Sequence, residues 1–367
     1  MKSKRYGLVF RGFCVNNEGI EILGRGGEQR KNMAEKSGSR VSRRDFLRYG
    51  GIAAGAVILG VGGGETMATT KSVVTFFKTE DRKTGVASSI SALRINPVKN
   101  KQVLIKPNFN TADLVPGSTH NDTLASLVEQ MWKMGARSVA VGERSYPPTR
   151  DVMEQKGVIP LLQKLDAKII DFDDLADKDW VEIKPKDSHW QRGFRIARPV
   201  LESECLVSTC CLKTHQYGGV FTMSMKLHVG VVPTTRHGYD YMRELHSSPH
   251  QRKMIAEINL PFKPALVVLD GIDAFVDGGP MTGKRAKGNV FLAGTDRVAI
   301  DAVGVAILKT LGSNGQIMKR RIFDQEQIAR AAELGLGAIS PSAIEILPVD
   351  DQSAEYCARV QEMLSKG

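Results

Sequence analysis

The stretch Gln102-Val103-Leu104-Ile105-Lys106-Pro107-Asn108, followed by Thr119 to Gly135 and then by Ser138-Val139-Ala140-Val141-Gly142, reads as strand, helix, strand. The first run is short, apolar and β-branched, and Pro107 ends it because proline has no N–H for a sheet ladder. In the second run Leu124, Leu127, Val128 and Met131 recur at helical spacing; Asn121 or Asp122 can cap its start and Gly135 stops it. Compact connections between two such strands imply a parallel, right-handed crossover.

Working outward, the pattern repeats. Val73–Phe77 precedes it as a strand, and a helix around Val158–Leu165 leads to a strand at Lys168–Phe172. Further strands are expected at Glu204–Thr209, Pro264–Leu269, Asn289–Ala293 and Ala343–Leu347. Helices are expected from near Asp296 to Leu311, from Gln325 to Leu334 and from Ser353 onward, and residues 173–200 read as a β-hairpin or lid. The predicted class is α/β: a mostly parallel sheet flanked by helices, as a single large domain over residues 69–367, after an N-terminal signal segment.

That segment rests on Ser42-Arg43-Arg44-Asp45-Phe46-Leu47-Arg48, which fits the twin-arginine export pattern at each defined position through Arg43 and Arg44. A glycine-interrupted apolar stretch follows from Ile52, shorter than the roughly 20 residues of a spanning helix. Thr66-Met67-Ala68 then offers small residues for cleavage. Residues 33–68 are therefore read as the signal peptide, with Met33 as initiator and residues 1–32 as an upstream, non-native extension. The reading implies the twin-arginine translocase as a partner and a periplasmic or otherwise extracytoplasmic destination, with membrane anchoring if the leader stays uncleaved.

The formal charge of +11 divides into +6 within residues 1–70 and +5 over the rest. A body so near balance, with no basic run interleaved with aromatics, argues against a nucleic-acid partner. Five cysteines are scattered without a Cys-x-x-Cys pair, so no intrinsic iron–sulfur motif and no disulfide framework is present in the sequence.

Ligands of open α/β sheets gather beyond the carboxyl ends of the strands. Lys106 and Asn108 follow one predicted strand and Glu143 another; Lys213, Thr214 and His215 follow a third, with Gly218 and Gly219 permitting a close turn. Lys226 and His228 come soon after. Lys106, Lys213 and Lys226 converging on one site would select phosphate, carboxylate or sulfate, with His215 as the candidate catalytic, proton-transferring group. His246 and His250 are further ligand-binding candidates, although Pro249 breaks their helical spacing. Asp270, Asp277 and Asp301 are the candidate metal ligands, since oxygen-rich loops suit a divalent cation such as Mg²⁺ or Ca²⁺. Asp301 lies among apolar residues and needs a partner, for which a lysine of the anion site is one candidate. Asp296 is an alternative helix cap, and Cys210 and Cys211 read as buried structural thiols.

The residues Val103 to Asn108, Cys211-Leu212-Lys213-Thr214-His215 with Gly219, Ser224-Met225-Lys226, Lys263-Pro264 to Asp270-Gly271, Gly279-Pro280, Gly283, and Thr295-Asp296 to Ala302 together resemble the domain of unknown function 362 family over roughly residues 73–310. The resemblance implies no settled activity. Fusion of some family members to ferredoxin-like modules implies redox company, and this chain's lack of those cysteines would place any cluster on a separate redox partner protein. Cys210-Cys211-Leu212 stands where the family has an amide or apolar residue and proline. Three functions follow: an exported protein that binds, and as an enzyme acts on, a small anionic ligand with or without a divalent cation; a redox accessory of an iron–sulfur partner; or a non-catalytic assembly protein.

Overall fold

The computed structural model describes residues 71–366. The twin-arginine segment, the expected initiator and the expected extension lie outside the described residues.

In chain order the first half contains β1 (Ser72–Lys78), α1 (Arg82–Ala92), β2 (Gln102–Lys106), α2 (Asn121–Lys133), β3 (Ser138–Glu143), α3 (Thr149–Gln155), α4 (Val158–Lys164), β4 (Lys168–Asp171), β5 (Trp180–Ile183), β6 (Phe194–Ala197), α5 (Arg198–Glu202) and β7 (Cys205–His215). The second half adds β8 (Val220–Thr222), α6 (Ser224–Leu227), β9 (Thr235–Arg236), β10 (Tyr239–Asp240), α7 (Tyr241–Ser247), α8 (Gln251–Ile258), β11 (Leu266–Gly278), β12 (Gly283–Lys287), β13 (Val290–Gly294), α9 (Arg297–Thr310), α10 (Gly315–Met318), α11 (Glu326–Glu333), β14 (Ile344–Pro348) and α12 (Asp351–Lys366). No helix among the described residues is long and apolar enough to cross a membrane.

The main sheet has the order β14-β1-β13-β11-β7-β2-β3-β4. Every strand on this path runs the same way except β13, which is antiparallel to both neighbours. Strands buried on both faces must be apolar on both, and the sequence shows it. Val103, Ile105, Val207 and Val268 pack under α1 and α2 with Ile90, Leu124 and Leu127. Leu104 and Leu206 face the other way, toward Ile255 and Ile258 of α8. Beyond them Val267, Leu269, Cys210 and Leu212 pack against α9 and α12.

The expected crossover is present, with three adjustments. His120, rather than Asn121 or Asp122, caps α2, accepting from the Asp122 N–H at 3.1 Å. The strand expected at Glu204–Thr209 continues to His215, and the one expected at Pro264–Leu269 continues to Gly278, so Lys213, His215, Asp270 and Asp277 lie within strands and not in loops. Both extensions gain hairpin partners, β8 on β7 and β12 on β11, and they also pair with each other at Leu212–Ala274 and Lys213–Phe275. Residues 173–200 contain the expected hairpin, β5 with β6.

Candidate functional site

The strand order fixes where a site can form. From β2 the chain crosses to β3 and β4 on one side; from β7 it crosses to β11 on the other. Neighbouring parallel strands whose connections leave in opposite directions open a crevice at their carboxyl ends. A cleft of about 580 Å³ lies there, lined by Lys106, Asn108, Glu143, Lys213, His215, Lys226 and His246 among others. Lys106 and Glu143 are the last residues of β2 and β3, and His215 is the last of β7.

The three lysines sit in different electrostatic settings. Lys106 is buried and paired with Glu143, and it donates to the Pro107 carbonyl at 2.8 Å. Glu143 also accepts the backbone N–H groups of Phe109 (2.8 Å) and Arg144 (2.9 Å). Burial pulls the Lys106 ammonium down and pushes the Glu143 carboxyl up, each opposed by attraction to the other. The chain backbone closes over this pair at Gly230, where an added Cβ would lie 2.5 Å from Glu143 Oε1.

Lys213 is fully buried, with no carboxylate partner among the described residues. Its ammonium donates to the carbonyls of Gly117 (2.5 Å) and Pro280 (3.3 Å), and burial lowers its pKa to about 8. Lys226, 9% exposed, has neither an ion pair nor a hydrogen bond to its ammonium among the described residues. Burial, reinforced by the charge of Lys213, lowers its pKa to about 7. An ammonium held in a largely buried setting without a counter-charge costs solvation, so side-chain packing alone gives no reason for Lys213 and Lys226.

His215 is held differently from the sequence expectation. Burial, then the charges of Lys226 and Lys213, drive its imidazole far below the ordinary histidine range, so it is neutral. Its Nδ1 accepts the Gly219 N–H at 3.3 Å, which places the ring proton on Nε2. In that tautomer His215 is a hydrogen-bond donor, and Lys226 is the group able to exchange a proton near neutrality. Gly219 makes this possible by close approach: a Cβ there would lie 2.8 Å from both His215 Nδ1 and Lys226 Cε. Val220, next along, is forced to φ 64°, a strained value for a β-branched residue, and pairs with His215 in the β7–β8 hairpin.

Other expected residues separate from the cleft. His250 packs against His189, with ring centroids 4.7 Å apart and planes inclined at 52°, and does not line it. The three carboxylates expected to hold a metal do not meet. Asp270 accepts Arg82 Nε (3.0 Å) and Thr123 Oγ1 (2.6 Å) under α1 and α2. Asp277 accepts Asn314 Nδ2 (3.1 Å). Asp301 bonds no lysine: it accepts the Ser224 N–H (2.7 Å), Ser224 Oγ (2.6 Å) and the Met225 N–H (3.2 Å). It thereby satisfies the first N–H groups of α6, the turn that carries Lys226. Burial raises its pKa to about 6, against those bonds. Among the described residues no group of three or more His, Cys, Asp or Glu side chains is arranged to hold a metal ion. Asp296 caps α9 through the Val298 and Ala299 N–H groups. Cys210 and Cys211 are buried with thiols pushed up by desolvation.

Sequence reading missed Arg144 and Thr222. Arg144 is buried and donates to the Val229 carbonyl (3.1 Å) and Thr234 Oγ1 (3.0 Å). Its position beside Glu143 at a strand end was the available signal. Thr222 gave none, since only β8 pairing sets it opposite Lys213.

The family model described as domain of unknown function (DUF362) matches residues 103–306. The thylakoid-associated protein sll1697 of Synechocystis sp. is 26% identical over 211 residues, 57% of this chain. The match covers 63% of that relative's length. Among solved structures, the lactate racemase apoprotein from Thermoanaerobacterium thermosaccharolyticum aligns over 80% of this chain and 86% of its own, with 13% identity and a TM-score of 0.39.

Proposed function

Because the chain belongs to a family described as a domain of unknown function, we propose from the site alone that it binds a small anionic ligand in the β2–β7 cleft. One observation carries the reading: Lys213 and Lys226 are buried at that cleft, and among the described residues no carboxylate forms an ion pair with either. An anion entering between them would replace the lost solvation with charge-assisted hydrogen bonds, each contributing about 1.5–3 kcal/mol. His215 would add a neutral N–H donor. Lys226 would supply proton transfer should the ligand be turned over, a role the sequence had suggested for His215. Lys106 is committed to Glu143 and shapes the cleft floor.

Titration calorimetry with inorganic phosphate and with sulfate tests this. Binding to the full-length protein is expected, with Lys213→Met and Lys226→Met each weakening it by about 10-fold or more. Silence with both oxyanions, or affinities indifferent to both substitutions, would remove the reading.

Export by the twin-arginine route belongs to the same proposal and rests on Arg43 and Arg44. Cell fractionation checks it: the wild-type chain should be extracytoplasmic, and the doubly substituted R43K/R44K chain should stay in the cytoplasm. Equal distribution of the two would overturn it.

A further inference from the structure

Resting on that anion-binding reading, we propose that the ligand is an amphipathic dianion: a doubly charged head, phosphomonoester or dicarboxylate, on a flat apolar body.

The head follows from charge and donor count. Four buried cationic side chains line the cleft, Lys106, Arg144, Lys213 and Lys226, against one buried carboxylate, Glu143. A single negative charge would leave that excess largely unbalanced in a low-dielectric setting. The donors are present too. An ammonium has three N–H groups. Lys213 spends two on the Gly117 and Pro280 carbonyls, keeping one, and Lys226 keeps all of its own. Thr222 Oγ1 has no partner among the described residues although the residue is only 6% exposed. Lys213 and Thr222 are cross-strand partners in the β7–β8 ladder, so their side chains leave the same face. An orphaned buried hydroxyl next to an unneutralised ammonium is an arrangement that a tetrahedral or forked oxyanion would satisfy.

The body follows from the walls. A volume of about 580 Å³ is in the range of organic-ligand pockets and far exceeds a bare oxyanion. Leu227, Val229, Met242 and Met281 are among the lining residues, and methionine adapts its shape to flat, polarisable groups. Tyr146 and Tyr217 line the cleft as well, yet are 82% and 56% exposed. Tyrosines left open at a cleft of this kind offer apolar area at small cost in side-chain entropy.

Calorimetry on the full-length protein with four probes decides both halves: inorganic phosphate, phenyl phosphate, benzoate and phthalate. Phenyl phosphate is expected to bind at least 10-fold more tightly than inorganic phosphate, and phthalate at least 10-fold more tightly than benzoate. The double variant Y146A/Y217A should lose the phenyl preference while keeping its affinity for inorganic phosphate. Equal affinity for the two phosphates would overturn the apolar body and leave the anion site standing. Equal affinity for benzoate and phthalate would overturn the dianionic head. No binding of any probe would remove the anion-binding reading itself.

Discussion

Two groups of charged side chains in this protein obey opposite rules. Under α1 and α2, Asp270 is met by Arg82 and Thr123, and Arg82 reaches on to Asp273 (2.9 Å), which Lys287 also contacts (2.7 Å). Positive and negative groups alternate, and each carboxylate is engaged. Around the β2–β7 cleft, Lys106 has its counter-charge, whereas among the described residues Lys213 and Lys226 have none. The first group is closed and explains itself by stability. The second stays open toward a cavity, and its cost is offset only when something negative arrives.

The comparison breaks most easily at Asp270. Asp270→Ala leaves Arg82 with Asp273 alone and the buried Thr123 hydroxyl without its acceptor, and should destabilise the fold by about 1–3 kcal/mol. Thermal or urea unfolding would read this, while sulfate affinity should stay within about twofold. Unchanged stability would mean that the closed group is not a stability element.

Lys213→Met should do the reverse. Its binding loss of 10-fold or more should come with unfolding free energy unchanged or higher, because a desolvated charge has been removed. A large loss of stability would instead make Lys213 a structural tie between the Gly117 and Pro280 carbonyls.

A third, smaller effect is the pH profile. With Lys226 lowered to about 7 and Lys213 to about 8, sulfate affinity should decline as pH rises through that interval, since the ammonium forms are lost. Sulfate keeps a constant charge there, so the slope reports the protein. Unliganded stability should move the other way. An unfolded lysine, near 10.4, holds its proton longer than these folded ones, so the unfolded state binds more protons and stability rises from about pH 7 to 10. A flat sulfate profile would show that neither lysine carries the anion.

The smallest effect is expected at Gly219→Ala. The added methyl must displace His215 or Lys226, and a few-fold weaker sulfate binding with little change in unfolding would sharpen the assignment of that turn to the site. No change at all would separate the turn from binding.

Much of the sheet was legible because its strands are buried on both faces. Val103–Ile105 and Leu266–Leu269 are uniformly apolar, and the crossover helix between β2 and β3 has an unbroken apolar stripe. The extensions of β7 and β11 were not legible: Lys213-Thr214-His215 is polar and acids interrupt the apolar run from Asp270 to Asp277, and these stretches become strand by pairing with β8, with β12 and with each other. Site residues divided likewise. Lys106, Lys213, His215 and Lys226 could be named from their places near strand ends. Asp270 and Asp301 could be seen to need partners, but a one-dimensional reading cannot say that Arg82 lies 188 residues from its acid, or that the partner of Asp301 is a backbone turn.

By itself the amino-acid sequence determined the class of the fold, the positions of its apolar strands and the supply of basic residues at their ends, since burial on both faces and helical periodicity are local patterns. The tertiary structure alone decided which charges were neutralised. Ion pairing depends on distances of a few ångströms between segments far apart in the chain, set by the strand order that puts β7 beside β2 and leaves two lysines lining the cleft with no counter-charge among the described residues.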